Sequence, residues 1–407
     1  MYIYRHIEPV IKRIAKRKPV VVVTGPRQVG KSTTLKEILK DTNYVALDRP
    51  LVRQSAMETP SLFFEVNKPP IIVDEIQKAA SLFEYIKDLV DTDKTKGRFF
   101  LTGSQSLKLM KNVSDSLAGR AGVIRLLGLS VREILGSAER APFVPDAPYL
   151  REPARQGLDY TELTRTIHRG FYPELYETES EPGDWNDFYS SYFQTYIERD
   201  IRDVLNIQDE SAFIKFVRAA AALTGELVNY ATLAEICGKD VKTCKAWLSA
   251  LVSSGLVYTL EPYYNNHLKR MIKTPKLYFL DTGFACWLSG WNTPEQLARG
   301  ARWGHIFETF VVAEILKSWY NDGIVNAPLY FYRDNDKNEI DLVIENGDTL
   351  YPVEIKTTAD PSKSMIKNFR CLDSIPEKKR GQGALICPAK EFLPLTEDVW
   401  IVPAGRL

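Results

Sequence analysis

Cysteine, histidine and long apolar runs are all scarce in this chain of 407 residues. The five Cys (237, 244, 286, 371, 387) are odd in number and scattered, which argues against a disulfide framework and for free thiols. Cys237 and Cys244 have no Cys or His pair at zinc spacing, and the four His (6, 168, 267, 305) share no ligand spacing. No uninterrupted apolar run reaches about 18 residues, so no membrane span is expected. The first twenty residues hold six Lys/Arg and no apolar core followed by a small-residue cleavage site, so cytoplasmic residence is expected. Charge of one sign is also lacking. With 53 Lys+Arg against 52 Asp+Glu, a globally basic nucleic-acid coat is excluded, although balanced totals can hide local patches.

What is present suffices for folded domains. Hydrophobic residues make up 44% and aromatics 11%, which supplies cores and excludes disorder as the main state. At roughly 100–200 residues per domain, two to four domains are expected. Residues 18–24, 44–47, 71–73 and 98–102 read as strands, and 31–40 and 81–90 as helices. Strands alternating with helices imply an α/β fold whose parallel sheet is covered on both faces. Four prolines (142, 145, 148, 153) mark 141–159 as a long loop. From Trp185 to about Ala222 the spacing of Phe188, Tyr192, Thr195, Tyr196 and Arg199 is helical. The order helix, Gly turn, helix, Gly, strand over 230–264 is that of a winged helix-turn-helix. A mixed α and β segment follows, with a helix at 305–320 and strands at 329–333, 339–344 and 351–356. The expected domains are 1–205, a P-loop domain with a helical connector, then 206–275, a winged helix, and 276–407, a small α/β domain.

Gly25-Pro26-Arg27-Gln28-Val29-Gly30-Lys31-Ser32 fits GxxxxGK[ST] between a Val-rich strand and a helix, and Thr33 follows it. The glycines let the backbone wrap phosphates, Lys31 reaches the β/γ oxygens and Ser32 ligates Mg²⁺. The strand at 71–73 delivers Asp74 and Glu75, the first to hold Mg²⁺ and the second to polarise an attacking water. ATP and Mg²⁺ are therefore the expected cofactors. Ser104, ending the fourth strand, is either a sensor beside the γ-phosphate or a helix cap. Arg120 is either an arginine finger, acting in trans if the chain forms a homo-oligomer, or a salt-bridged surface residue.

The phosphate loop, Val73-Asp-Glu-Ile-Gln77, Phe100-Leu-Thr-Gly-Ser104, Ser116-Leu-Ala-Gly-Arg120 with Leu129-Ser130, and Tyr196-Ile-Glu-Arg-Asp200 resemble the prokaryotic AAA+ type ATPases with a C-terminal domain of unknown function. The resemblance extends through Gly255-Leu-Val-Tyr258, Lys276-Leu-Tyr-Phe-Leu-Asp-Thr-Gly283 and Glu354-Ile-Lys356, nearly the whole chain. It implies a winged-helix segment and a restriction-endonuclease-like fold. Ser104 departs from the Asn that many of these proteins place at the sensor position.

Glu354 and Lys356 are two apart on a strand and so share a face, and Asp341 leads the preceding strand. Two carboxylates and a lysine suit a divalent cation with an activated water: Asp341 and Glu354 as ligands, Lys356 orienting the nucleophile, and Glu308 adding a carboxylate. The set resembles the PD-(D/E)xK nuclease arrangement, with Ile340 where that motif has Pro. The plain alternative is a salt-bridged strand pair. Lys239, Lys242 and Lys245, with His267-Leu-Lys269-Arg270-Met-Ile-Lys273, could contact DNA or RNA phosphates or remain solvated. Trp247 and Tyr258 are expected in the core. Two functions stay open: an ATPase coupled to a nuclease-like module, or a signalling or scaffold protein whose C-terminal domain only binds a partner.

Overall fold

The strand Val20–Gly25 (β1) is a run of valines buried at every position, as a strand covered on both faces requires. It pairs in parallel within a five-stranded sheet that also contains β2 (Asn43–Ala46), β3 (Ile71–Asp74), β4 (Phe99–Ser104) and β5 (Ala121–Arg125). The order is β2-β3-β4-β1-β5. Because β4 lies between β1 and β3, the C-terminal ends of these three strands bring Gly25, Ser104 and Asp74 to one edge. The structure is a computed structural model and describes residues 2–104, 113, 115–151, 156–177, 183–196, 207–264 and 274–407.

The expected strands and helices of this part are present, with small shifts at their ends. The helix expected over 31–40 stops at Ile38, where Leu39 leaves the helical region and packs on the core. The expected loop at 141–159 is interrupted by the short helix Ala147–Arg151. Its proline, Pro148, stands in the first turn, where the missing N–H forfeits no intrahelical bond. The helical stretch after Trp185 comprises Asp184–Tyr192, prolonged to Tyr196 by a wider turn, and Glu210–Ala222. Arg199 and the rest of Tyr196-Ile-Glu-Arg-Asp200, like His267, Lys269, Arg270 and Lys273, lie outside the described residues.

The middle of the chain runs helix Glu210–Ala222, β6 (Glu226–Leu227), helix Tyr230–Cys237, helix Val241–Ser253, β7 (Val257–Leu260) and β8 (Lys276–Phe279). Between the two central helices Gly238 takes a left-handed φ of 67°, and Asp240 caps the second helix through the Thr243 N–H. The three strands form an antiparallel sheet in the order β6-β8-β7. The boundary expected at 275/276 thus runs inside a sheet that β8 completes.

Beyond it, the helix Trp303–Asn321 is buried around most of its circumference and threads the core. It packs beside a seven-stranded mixed sheet: β9 (Leu329–Arg333), β10 (Glu339–Asn346), β11 (Thr349–Ile355), β12 (Lys379–Arg380), β13 (Gly383–Cys387), β14 (Leu393–Pro394) and β15 (Val399–Pro403). The β9-β10-β11 meander is antiparallel, while β13 joins β11 and β15 joins β13 in parallel. One apolar cluster runs from Val21 and Val23 through Phe171, Tyr189 and Phe216 to Phe310 and Leu342, so the three parts share a core. Among the described residues no helix is long and apolar enough to cross a membrane.

Candidate nucleotide site and C-terminal carboxylate site

Gly25 has a φ of 151°, and a Cβ there would stand 2.0 Å from the Leu126 carbonyl oxygen, so no other residue fits. Gly30 opens the helix Lys31–Ile38 at a left-handed φ of 89°, and Gln28 is left-handed as well, at 60°. The resulting loop is held from behind by Arg5, which is 2% exposed. Its guanidinium donates to the Val29 carbonyl at 2.8 Å and the Leu127 carbonyl at 2.8 Å, and pairs with Glu133 at 3.1 Å. Lys31 Nζ folds into the loop and donates to the carbonyls of Gly25 at 3.1 Å and Pro26 at 2.6 Å. Burial pushes this ammonium down to about 8, although Glu75 and Asp74 oppose the shift. Arg27 lies over the Tyr196 ring at 5.6 Å. Beside the loop a cavity of about 410 Å³ is lined by Tyr2, Ile3, Gly30, Thr33, Thr34 and Pro173, a volume within the range of small-molecule sites.

Across the edge of the sheet, Asp74 accepts hydrogen bonds from Tyr44 Oη at 2.6 Å and from the Thr102 hydroxyl. Burial would raise its pKa, but bonds from Thr102, Tyr44 and Ser32 and the charge of Lys31 hold it below the usual carboxylate range. Asp74 is therefore an anion facing the Ser32 hydroxyl, a hard oxygen pair that suits Mg²⁺. Glu75 stands at a left-handed φ of 56°, an uncommon conformation that costs on the order of 1 kcal/mol and that the surroundings must enforce. Its carboxylate is tethered by Gln77, whose amide donates to Glu75 Oε2 and, at 3.2 Å, to Ser104 Oγ. Ser104 is thus joined to Glu75 by a side chain that sequence reasoning left without a role, although it stands in the quoted Val73-Asp-Glu-Ile-Gln77 string. Arg120 forms a two-point ion pair with Asp91, 2.7 and 2.8 Å, at the surface. That geometry favours the salt-bridged alternative.

In the C-terminal sheet, Asp341 on β10 and Glu354 on β11 are brought together as the two-residue alternation requires. Lys356 Nζ lies 2.5 Å from Glu354 Oε1 and 3.4 Å from Asp341 Oδ2, and Asp341 Oδ2 also accepts from the Ile355 N–H at 2.8 Å. Burial and the neighbouring Asp341 charge raise the pKa of Glu354 well above the carboxylate range, against the pull of Lys356. Its second oxygen, Oε2, is buried without a hydrogen-bond partner. Glu308, expected as a further ligand, instead accepts from Lys276 Nζ at 3.0 Å and Tyr278 Oη at 2.6 Å. Among the described residues no three or more His, Cys, Asp or Glu converge as a metal-ligand cluster. In the middle segment Lys239 pairs with Asp209 at 2.7 Å and Lys245 lies over the Tyr230 ring at 5.3 Å, while Lys242 is exposed. Trp247 is buried against Phe213 and Phe216, a core residue as expected, and Tyr258 is half-buried.

Comparison with known proteins matches residues 17–135 to the AAA domain family. Residues 160–295 and 303–407 match two domains of unknown function, DUF8612 and DUF4143. Uncharacterized proteins of Mycobacterium bovis and Mycobacterium tuberculosis are each 29% identical over 403 residues, covering 98% of this chain and 82% of theirs. Among solved structures, the Walker-type ATPase of Pyrococcus abyssi is 13% identical over 69% of this chain and 94% of its own, with a TM-score of 0.37. The RuvB Holliday junction branch migration motor of Thermotoga maritima is 17% identical over 62% and 86%, with a TM-score of 0.28. The matched residues 17–135 include the phosphate loop, Asp74, Glu75 and Ser104, so this part of the chain is similar to AAA-type ATPase domains.

Proposed function

We propose that the chain binds ATP with Mg²⁺ at the phosphate loop, hydrolyses it, and couples that cycle to a winged helix and a nuclease-like C-terminal module that act on nucleic acid. One observation carries the ATPase reading: the edge of the five-stranded sheet juxtaposes Lys31, Asp74 and the Gln77-tethered Glu75 around Gly25–Gly30. Phosphate oxygens would replace the two loop carbonyls as acceptors for Lys31, while backbone N–H groups of the loop and helix start take the remaining charge. Glu75, oriented by Gln77, accepts the proton of the attacking water, and Ser104 ties that orientation to the strand beside the γ-phosphate. Mg²⁺, held by Ser32 and Asp74, would neutralise charge on the β and γ oxygens. The cavity lined by Tyr2, Ile3 and Pro173 takes the base and ribose. Gln77→Ala is expected to lower turnover by about tenfold or more, the loss of a charge-assisted hydrogen bond, with nucleotide affinity unchanged. Steady-state ATPase rates beside nucleotide titrations check this, and unaltered turnover would remove Gln77 from the mechanism.

The strand order β6-β8-β7 around two helices joined at Gly238 supports the winged-helix reading, and the meeting of Asp341, Glu354 and Lys356 supports the nuclease-like one. A hydrolytic site of this kind would hold one divalent cation on the two carboxylates and place Lys356 against developing phosphate charge. Incubating DNA and RNA substrates with Mg²⁺ or Mn²⁺, with and without ATP, tests it. Cleavage by the wild type that disappears in Lys356→Ala is the expected result, and no cleavage of any substrate would favour the partner-binding alternative. That second reading draws on the intramolecular contacts of Lys239 and Lys245, which leave less basic surface for a phosphate backbone.

A further inference from the structure

The string Lys276-Leu-Tyr-Phe-Leu-Asp-Thr-Gly283 has no part in the reading above, yet it reaches the C-terminal carboxylates. Lys276 and Tyr278 alternate onto one face of β8, and both meet Glu308 Oε1. Lys276, only 4% exposed, also pairs with Glu339 at 2.7 Å, and Arg333 approaches the same carboxylate at 3.6 Å. Lys356, on Asp341 and Glu354, is the other lysine of this group. Lys276 and Glu308 form its buried end. A second divalent cation on Glu308 would have to displace the Lys276 ammonium or lie against it, and burial opposes that accumulation of positive charge. The orphaned Oε2 of Glu354, on a residue 7% exposed, marks where one cation is wanted.

We propose that Lys276 is a built-in second cation, delivered from the three-stranded sheet, which occupies Glu308 and limits the C-terminal site to a single divalent ion on Asp341 and Glu354. The inference rests on reading those two carboxylates as cation ligands. It makes Glu308 a positioning residue for Lys276 and makes the site dependent on a strand from outside its own sheet.

Manganese binding to the whole 407-residue chain in the absence of nucleotide, followed by the electron paramagnetic resonance of free Mn²⁺, tests it without any activity measurement. One Mn²⁺ per wild-type chain is expected, lost in Glu354→Gln. Glu308→Gln, nearly isosteric, should keep both the stoichiometry and the affinity within about threefold. Lys276→Met, shown by circular dichroism to be folded, should gain a second Mn²⁺. Two Mn²⁺ per wild-type chain, or loss of binding in Glu308→Gln, would overturn the role of Lys276 and leave the site reading standing. No Mn²⁺ on the wild type, or binding that survives in Glu354→Gln, would overturn the site reading and the inference with it.

Discussion

Lys31→Ala is expected to abolish nucleotide binding at working concentrations. The Lys31 ammonium occupies the mouth of the loop, donating to the carbonyls of Gly25 and Pro26. Phosphate oxygens would exchange these neutral acceptors for charged ones. Each charge-assisted hydrogen bond contributes about 1.5–3 kcal/mol, so losing two weakens binding by about 10² to 10⁴. Lys31→Arg should recover little, because a planar fork does not fit a loop shaped around a compact ammonium. Titration with a fluorescent ATP analogue measures the effect, and thermal unfolding confirms that the variant folds. An affinity within about threefold of wild type would dismiss the loop as the nucleotide site.

Asp281→Ala carries the largest expected loss of stability. Asp281 caps the helix Thr282–Leu288 through the Phe284 N–H at 2.7 Å. The same carboxylate accepts from Tyr189 Oη at 2.7 Å and from the Phe171 N–H at 2.7 Å. Three chain segments are thus fastened by one buried side chain. Burial raises its pKa, while the hydrogen bonds and the more distant Lys317 charge pull the other way. Alanine would leave the Phe284 and Phe171 N–H groups without acceptors, at about 1–3 kcal/mol each, and Tyr189 Oη with only the Arg169 carbonyl at 3.0 Å, so a net loss of about 3–5 kcal/mol is expected. For a unit of this size that lowers the unfolding midpoint by about 10 °C. Asp281→Asn should fall between, since its carbonyl oxygen can still serve two of the donors. A midpoint shift below about 2 °C for the alanine variant would show that water replaces the carboxylate.

Legibility in the sequence followed the range of the interactions. The valines of β1, the GxxxxGK[ST] string and the Asp74-Glu75 pair act through neighbours in the chain, so periodicity and spacing located them. Asp341, Glu354 and Lys356 came together because a hairpin and a two-residue repeat are local rules as well. Glu308 shows where such rules stop. Its partners, Lys276 and Tyr278, lie 32 and 30 positions away on a strand of a different sheet, and nothing in a helix carrying a carboxylate tells which cation will reach it. Arg120 is similar, since its partner Asp91 is 29 residues upstream. Gln77 was hidden for another reason: only the left-handed turn at Glu75 brings its amide back onto the carboxylate two residues before it. The fold of β8 into the middle sheet was concealed by its length of four residues, too short for alternation to assign a partner.

The clasp of Arg5 has a consequence for how the protein comes into being. A residue near the start of the chain sets the shape of the phosphate loop, but its own anchors, Leu127 and Glu133, are made more than a hundred residues later. During synthesis the loop sequence leaves the ribosome long before the parts that fix it. At about 5–20 residues per second, the interval between the two is on the order of ten seconds. A nascent chain stopped before residue 127 should therefore hold ATP poorly despite carrying the entire phosphate-binding string, and the whole 407-residue chain should hold it well. Ordering the loop only once the sheet is complete keeps a half-made domain from capturing nucleotide.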